Sequence, residues 1–591
     1  MSDPRLLLGP VLRYVDRHDA TIWVETDRPC TVTVTVEPDP ATGSDAGDAE
    51  GSARDRVVTE NTWSVHGHHY ALVQIRGLPA ASVLPYRVHL DETPVWPEPE
   101  SNRPPSVIRT LVGGKLRLAF GSCRRVAPFD EEGLAEFGAD ALAALAETMR
   151  HTPHERWPDA LFMVGDQIYA DEPSPELVDR LRSAHDPVPS GWEEVAGEVW
   201  DFEEYTWLYH ESWTPEPVRW LLSTVPSCML LDDHDLRDDW NTSAAWRERV
   251  TQEPWWRDRV VGAFGSYWIY QHLGNLSPTY LDRDELFAAL RAGGDEAAHT
   301  AELDEFAWAA DAQIDSTRWS FVRDFRDADD DDAGIVRLVA IDCRASRQLT
   351  NGPRAMVDDH EWDWVQAQAL GRREHGTITH LLLGSTLPVL LPRGIHHVEG
   401  WNEAVAEGTH GRLAPILGER LRQFIDLEHW AAFRRSFGHF VELLRQVVAS
   451  PQPPAGVLIL SGDVHCSYVA RAYLADTEHP GTVIEQLTMS PFRNPLPRAL
   501  RWANSIVDYR LPLGVLRRMS RWVGVPDTGL DWNIDYGPNF ANGVMTLVFD
   551  GRDARLEVDR AEHSHGVQHL ARVADLPLCG RAVTGSATGQ G

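Results

Sequence analysis

A chain of 591 residues with 43% hydrophobic residues and 23 tryptophans is a folded protein, too long for one ordinary core, and two or more domains are expected. A formal net charge of -34 repels phosphate backbones and anionic lipid, which excludes nucleic-acid and membrane-surface binding as its main business. Lys115 is the single lysine, so an anionic substrate has to be met by arginine or by a metal.

In chain order, the opening "MSDPRLLLGPVLRYVDRHDA" lacks a basic region, an apolar run of signal length and a twin arginine. The segments "ATIWVETD", "CTVTVTVEP", "HHYALVQIRGL" and "LPYRVHLD" then alternate with the two-residue period of half-buried strands. Residues 1–98 are therefore expected to form an all-β sandwich, of immunoglobulin or fibronectin type because a leucine turn precedes a Tyr-x-Val strand. Residues 99–114, proline-rich, read as a linker. From Lys115 the texture is α/β, with strands in "KLRLAFGSC", "DALFMVGDQIYADE", "SCMLLDDHD", "IVRLVAIDCR", "THLLLGSTLP", "GVLILSGDVHCSYVARAYL", "VIEQLTMS" and "GVMTLVFDG". "GLAEFGADALAALAETMRH" reads as one of the intervening helices. Residues 185–325, rich in Trp and Glu, are expected to be a helical insertion, part of which is a candidate lid. "RDADDDDAG", Arg326 to Gly334, reads as a solvated loop, and residues 579–591 as a flexible tail.

The six cysteines are scattered with no C-x-x-C pair, unlike a disulfide scaffold. No stretch approaches the roughly 18 apolar residues of a membrane span. A cytoplasmic protein without membrane or nucleic-acid partners is expected, with the oligomeric state left open.

Several strands end in residues able to bind metal, at the position where ligands gather in open α/β sheets. Cys123 closes "LAFGSC"; Asp166 and Tyr169 lie in "GDQIYADE"; Asp233, His234 and Asp235 lie in "DDHD"; Asp463 and His465 lie in "SGDVH". Singly each has a plainer reading: a turn aspartate, a small buried cysteine, a hydrogen-bonded core histidine. "SCMLLDDHDLRDDW" nevertheless packs five aspartates after an apolar strand, and that repulsion needs a surface turn or a cation.

Together, "GSCRR", "GDQIYAD", "DDHDLRDDW" and "SGDVHCS" resemble, in order, the motifs of the PhoD-like (alkaline phosphatase D) branch of the calcineurin-like metallophosphoesterases. The resemblance covers roughly residues 115–550. It implies a four-layer α/β domain over residues 115–578, two mixed β-sheets flanked by helices. It further implies that Asp166 bridges two metals, with Cys123, Tyr169 and His465 completing the first shell and Asp233 and Asp463 serving the second. His234 would contact the phosphate and Asp235 would orient it. Thiolate, phenolate and imidazole suit a transition metal, the phenolate ferric iron in particular, and carboxylates suit calcium, magnesium or manganese; the resemblance implies Fe3+ with Ca2+, with Mn2+, Mg2+ and Zn2+ as alternatives. The implied reaction is hydrolysis of a small phosphate mono- or diester by a hydroxide activated by two metals.

Arg124, Arg344 and Arg493 beside the site strands are candidate substrate contacts. Asp238 and Asp239 are read as partners of arginines such as Arg237 or as helix caps; Asp232 has no assigned role. The superfamily's fourth motif carries a histidine where this chain has Ser385 and Thr386, and His380 lies too early. His396 and His397 are loop candidates to replace it, or a solvent-facing pair; Asp342 either faces the site or pairs with Arg344. A bimetal esterase or lactonase and a non-catalytic binding protein on a degenerate phosphatase fold are the competing readings.

Overall fold

The computed structural model describes residues 3–40, 55–326, 334–350, 354–371, 377–406, 428–475, 481–496 and 528–580, with 518, 522–523 and 525. Most of the run Arg326 to Gly334 and residues 581–591 of the expected tail lie outside the described residues.

Two sheets face one another at the N-terminus. One has the order β1-β2-β6-β5, with β1 Leu6–Val15, β2 Ala20–Thr26, β5 Trp63–Val65 and β6 His68–Ile75. The other has the order β4-β3-β7-β8, with β3 Thr31–Val36, β4 Arg56–Asn61, β7 Val83–Leu90 and β8 Thr93–Trp96. In β3 the valines are buried and the threonines half-buried, the alternation its TVTVTV sequence dictates. Ile22, Val34, Val73 and Val88 meet in the shared core. Pairing does not stop at residue 98: β9, Val107–Arg109, joins the outer part of β7. Buried Val107 and Ile108 supply apolar surface that the expected linker does not have.

Two further sheets form the body. The first has the order β12-β11-β10-β20-β21-β22: β10 Lys115–Gly121, β11 Ala160–Val164 and β12 Ser227–Leu230 run parallel, while β20 Gly543–Asp550, β21 Asp553–Ser564 and β22 Val567–Cys579 are antiparallel. The second has the order β13-β14-β15-β16-β18-β17-β19. Its parallel centre is β14 Ile335–Ile341, β15 Ile378–Ser385, β16 Gly456–Ser461 and β18 Val483–Thr488. The antiparallel strands β13 Phe321–Arg326, β17 Ser467–Leu474 and β19 Leu530–Asn539 lie toward its two edges. Phe120, Phe162, Leu338, Leu382, Leu458 and Leu547 fill the space between the sheets. Helices such as Ala141–Arg150 and Arg434–Val448 cover the outer faces through separate apolar clusters. Strands buried on both faces explain the continuous apolar runs of β11 and β16.

Three local expectations change. "GLAEFGADALAALAETMRH" is two helices, Glu131–Phe137 and Ala141–Arg150, because Gly138 takes φ 73° and Asp140 caps the second. The segment read as one strand through "SGDVHCS" breaks between β16 and β17. Finally, beside the expected strand at "SCMLLDDHD", which is β12 and parallel to β11, the span 185–325 also runs into β13 of the second sheet, so its end is not part of a helical insertion.

The helices of that span also fasten the sandwich to the body. Trp213, Trp220, Trp255, Trp256 and Trp268 are buried there, and Trp23 and Trp63 of the sandwich approach Tyr270 and Trp268. Arg13 donates to the carbonyls of Tyr270 and Gln271 at 2.5 and 2.6 Å. The hydroxyl of Tyr86, in the Tyr-x-Val strand, donates to Ser223 O at 2.6 Å, across to the body rather than back into its own sandwich.

Candidate metal centre

The carboxyl ends of β10, β11 and β12 in one sheet and of β14, β15 and β16 in the other open onto the same place. Cys123 follows β10, Asp166 and Tyr169 follow β11, Asp232 to Asp235 follow β12, Arg344 follows β14, and Asp463 and His465 follow β16. Parallel strands deliver this because each turn at their shared end receives one polar residue as the chain leaves the apolar layer.

Ligand atoms of Cys123, Asp166 and His465 converge within 4.8 Å of one another, and so do those of Asp166, Asp232, Asp233 and Asp463. The two groups share Asp166. Cys123 Sγ donates to Asp166 Oδ2 at 3.2 Å, and the Tyr169 hydroxyl donates to the same oxygen at 3.3 Å. Asn494 donates to the Tyr169 oxygen at 3.0 Å.

The backbone holds these residues in an uncommon conformation. Cys123, Asp166, Asp463 and His465 have φ of 57°, 55°, 64° and 47°, in the left-handed region that non-glycine residues rarely enter. Such strain, about 1–3 kcal/mol per residue, persists where the surroundings over-determine it. Two glycines make the close approach possible. A Cβ on Gly165, φ 99°, would lie 2.5 Å from Asp232 Oδ2, and one on Gly462 would lie 2.2 Å from Ser122 Oγ.

Residues 135–330 match the family model of the PhoD-like phosphatases. Over that stretch, about a third of its length, the chain is similar to the PhoD-like phosphatases. The matched stretch includes Asp166, Tyr169 and Asp232 to Asp235, while Cys123, Asp463 and His465 lie outside it. Residues 3–108 match a domain of unknown function, DUF7800. Among solved structures, one titled "Structure of PhoD" superposes with a TM-score of 0.57 at 12% identity, over 97% of this chain and 90% of that one. At that identity the likeness is one of fold. No curated protein matches the chain.

The electrostatics of this cluster call for positive charge. Burial, then Asp232 and Asp233, push the Asp166 carboxyl well above the usual range, and burial with Asp232 does the same to Asp463. Burial, then Asp166, raises both the Cys123 thiol and the Tyr169 phenol. Burial lowers His465 to about 3, leaving a neutral imidazole with a lone pair to offer. Asp166 Oδ1 and Asp232 Oδ2 are buried without a hydrogen-bond partner, the cost of which a coordinated cation removes. A soft-to-hard set of donors, two of them orphaned, fits bound metal.

Several sequence-predicted residues sit elsewhere than expected. Asp235 does not serve His234: its carboxylate accepts from Asp232 N at 3.0 Å and from Gln271 at 3.1 Å, closing a capping box over the turn Asp233–Asp235. The carboxylate on His234 is that of Asp171, 2.8 Å from Nδ1. Burial opposes a charge on His234, but Asp171, then Asp166 and Asp233, outweigh it and raise its pKa well above the usual value.

The three arginines are spent on protein groups. Arg124, 2% exposed, pairs with Asp140 at 2.8 Å and donates to Ser212 O at 2.7 Å. Arg493 donates to the carbonyls of Ala127 and Pro128. Arg344 is fully buried and binds Asp232 at 2.5 Å, Asp233 at 3.2 Å, Glu428 at 2.5 Å and Asp463 at 3.4 Å. Asp342 accepts from the backbone N–H groups of Arg344, Ala345 and Ser346, each at 2.9 Å, so it caps a turn. His396 packs between Phe437 and Trp532 rather than facing solvent, and His380 bonds Gly551 O at 3.0 Å. Arg237 pairs with Glu194 and Glu198, not with Asp238 or Asp239; Asp238 lies 3.9 Å from His234 Nε2.

Asp171, Glu428, His429 and Asn494 are the site residues that the motifs do not reveal. Asp171 stands five residues after Asp166 in the quoted loop and carries no spacing signal; the others come from segments without a motif. Among the described residues all six cysteines are free, and no helix is long and apolar enough to cross a membrane.

Proposed function

We propose that the chain is a metal-dependent hydrolase of small phosphate esters, acting on monoesters, diesters or both. The observation that carries this is the pair of ligand groups sharing Asp166, buried at the meeting point of two sheets. Cys123, Asp166, Tyr169 and His465 would hold one cation, and Asp166, Asp233 and Asp463, joined by Asp232, the other. Phenolate and thiolate favour Fe3+ in the first position, and the carboxylates taken alone favour Ca2+ in the second.

Bound there, the two cations would supply positive charge to the phosphoryl group and acidify a water. The chain's own residues do the rest. His234, held by Asp171 at Nδ1, presents Nε2 as a donor to the phosphoryl group or the departing oxygen. Asn494, bonded to Tyr169 and 3.4 Å from His465 Nε2, orients both side chains. Arg124, Arg344 and Arg493 are committed to protein partners, so the cations and, among the described residues, His234 would supply countercharge to the phosphate.

The test is hydrolysis of p-nitrophenyl phosphate and its bis-ester by purified protein, with metal analysis and a visible spectrum. Activity on either, lost on chelation, is expected. A tyrosinate–Fe3+ band that disappears in Tyr169→Phe supports the iron assignment, whereas a colourless zinc protein overturns it. Inactivity on both esters together with absence of stoichiometric metal sinks the hydrolase reading and favours a binding protein. Cleavage of carboxyl esters alone favours an esterase.

A further inference from the structure

Asp166, Asp232, Asp233 and Asp463 offer the second cation oxygen alone. The strand whose end carries a histidine in the metallophosphoesterase pattern, β15, finishes here in Ser385 and Thr386. The Ser385 hydroxyl donates to Leu387 O at 2.9 Å and Thr386 contacts Cys343 Sγ at 3.2 Å, so neither turns to the carboxylates.

Another part of the chain docks on that strand end. The indole of Trp430 donates to Ser385 Oγ at 3.0 Å, pinning the segment Glu428–Trp430 where the pattern's histidine would start. Its neighbour His429 has Nδ1 2.8 Å from Glu399 Oε1, and Glu399 is 1% exposed. Nε2 of the same ring is buried, has no hydrogen-bond partner, and lies 3.9 Å from Asp463 Oδ2, too far for a hydrogen bond. An imidazole fixed by a carboxylate on one nitrogen and free on the other, beside a carboxylate that itself needs a cation, is the arrangement of a ligand histidine. Glu428 meanwhile grips Arg344, which bonds Asp232, Asp233 and Asp463, so one dipeptide braces the carboxylates and brings in the ring.

We propose that His429 supplies the nitrogen ligand of the second cation, replacing a histidine at the end of β15, with Glu399 as its positioning residue. This rests on the two-cation reading above and deepens it. A nitrogen among carboxylates moves the site away from Ca2+ toward Mn2+, Zn2+ or Fe2+.

Chelator-stripped full-length protein titrated with Mn2+ by calorimetry and equilibrium dialysis tests this. Wild type is expected to bind two equivalents. His429→Gln is expected to keep the first and to weaken the second at least about tenfold, with a much smaller change in Ca2+ affinity. Glu399→Gln is expected to weaken the same site by about tenfold with the ring still present, and serves if His429→Gln does not fold. Two equivalents bound by the His429 variant as tightly as by wild type would reduce His429 to an ion-pair partner of Glu399 and overturn the proposal alone. Wild type binding at most one equivalent overturns the two-cation reading, and the proposal falls with it.

Discussion

Arg344→Met removes a guanidinium that touches Asp232, Asp233, Asp463 and Glu428 together. Its side chain is fully buried, so its ion pairs are little screened by salt and its loss leaves carboxylates uncompensated in a dry place. Breaking a buried pair from one side costs about 3–5 kcal/mol. If the body unfolds as one unit of about 460 residues, its unfolding entropy is about 1 kcal/mol/K, and the melting temperature falls by about 3–5 °C. The assay is a thermal scan of chelator-stripped wild type and variant across a salt series. Arg344→Lys, which keeps a charge but loses the fork, is expected to fall between them. Added divalent cation should raise the melting temperature of Arg344→Met by more than that of wild type, because it takes over the missing charge. A stripped variant melting within about 1 °C of wild type would refute the reasoning, since at least one of these carboxylates would then be protonated and in no need of the arginine.

Asp171→Asn should lower kcat by about 100- to 10,000-fold with KM and metal content little changed, whereas Asp235→Asn should lower stability first; esterase kinetics with metal analysis separates the two. Gly165→Ala puts a Cβ 2.5 Å from Asp232 Oδ2 at φ 99° and should cost about 1–3 kcal/mol together with second-site metal, seen in a thermal scan and a metal count. His68 joins Glu25 and Glu203 at 2.9 and 2.7 Å between sandwich and helices; burial opposes its charge, yet the two carboxylates raise its pKa from 6.5 to about 9. Because the folded state binds that proton more tightly, the stabilisation is complete below about pH 6.5 and disappears as the pH rises through about 9. It amounts to at most about 3 kcal/mol, nearer 1–2 with Glu203 half-exposed, and His68→Gln should flatten the melting temperature over that alkaline window.

The motif residues were legible because strand ends are short and their polar residues contiguous: Asp166 and Tyr169 share one turn, Asp463 and His465 another. Their partners were not, because partnership is set by topology. Asp171 binds His234 across 63 residues of chain and Glu428 binds Arg344 across 84. The resemblance makes Asp235 the orienter of His234, but in a tight turn the backbone N–H of Asp232 claims it first. The arginines were misread for a similar reason. Proximity to a site strand in sequence says nothing of whether a buried carboxylate such as Asp140 already holds the guanidinium. The α/β texture was visible in the apolar runs, whereas β21 and β22, with their mixed burial, carry no such run and were missed.

The two least legible features, left-handed ligands and a buried arginine among their carboxylates, act together. Four strained residues and a crowd of aspartates would each argue against a stable fold. Arg344 and Arg347, facing Glu428 from one side, and Arg344, facing Asp232, Asp233 and Asp463 from the other, supply fixed charge that is present before any cation arrives. The capping box at Asp232 and the glycine at 165 fix the backbone by local means. The candidate centre is thus organised by the fold, so a bound metal would add binding energy to a built site rather than create it. Stripping metal should therefore lower stability by the binding term alone, about 4 kcal/mol at a free concentration a thousand times the dissociation constant, and leave the two sheets in place.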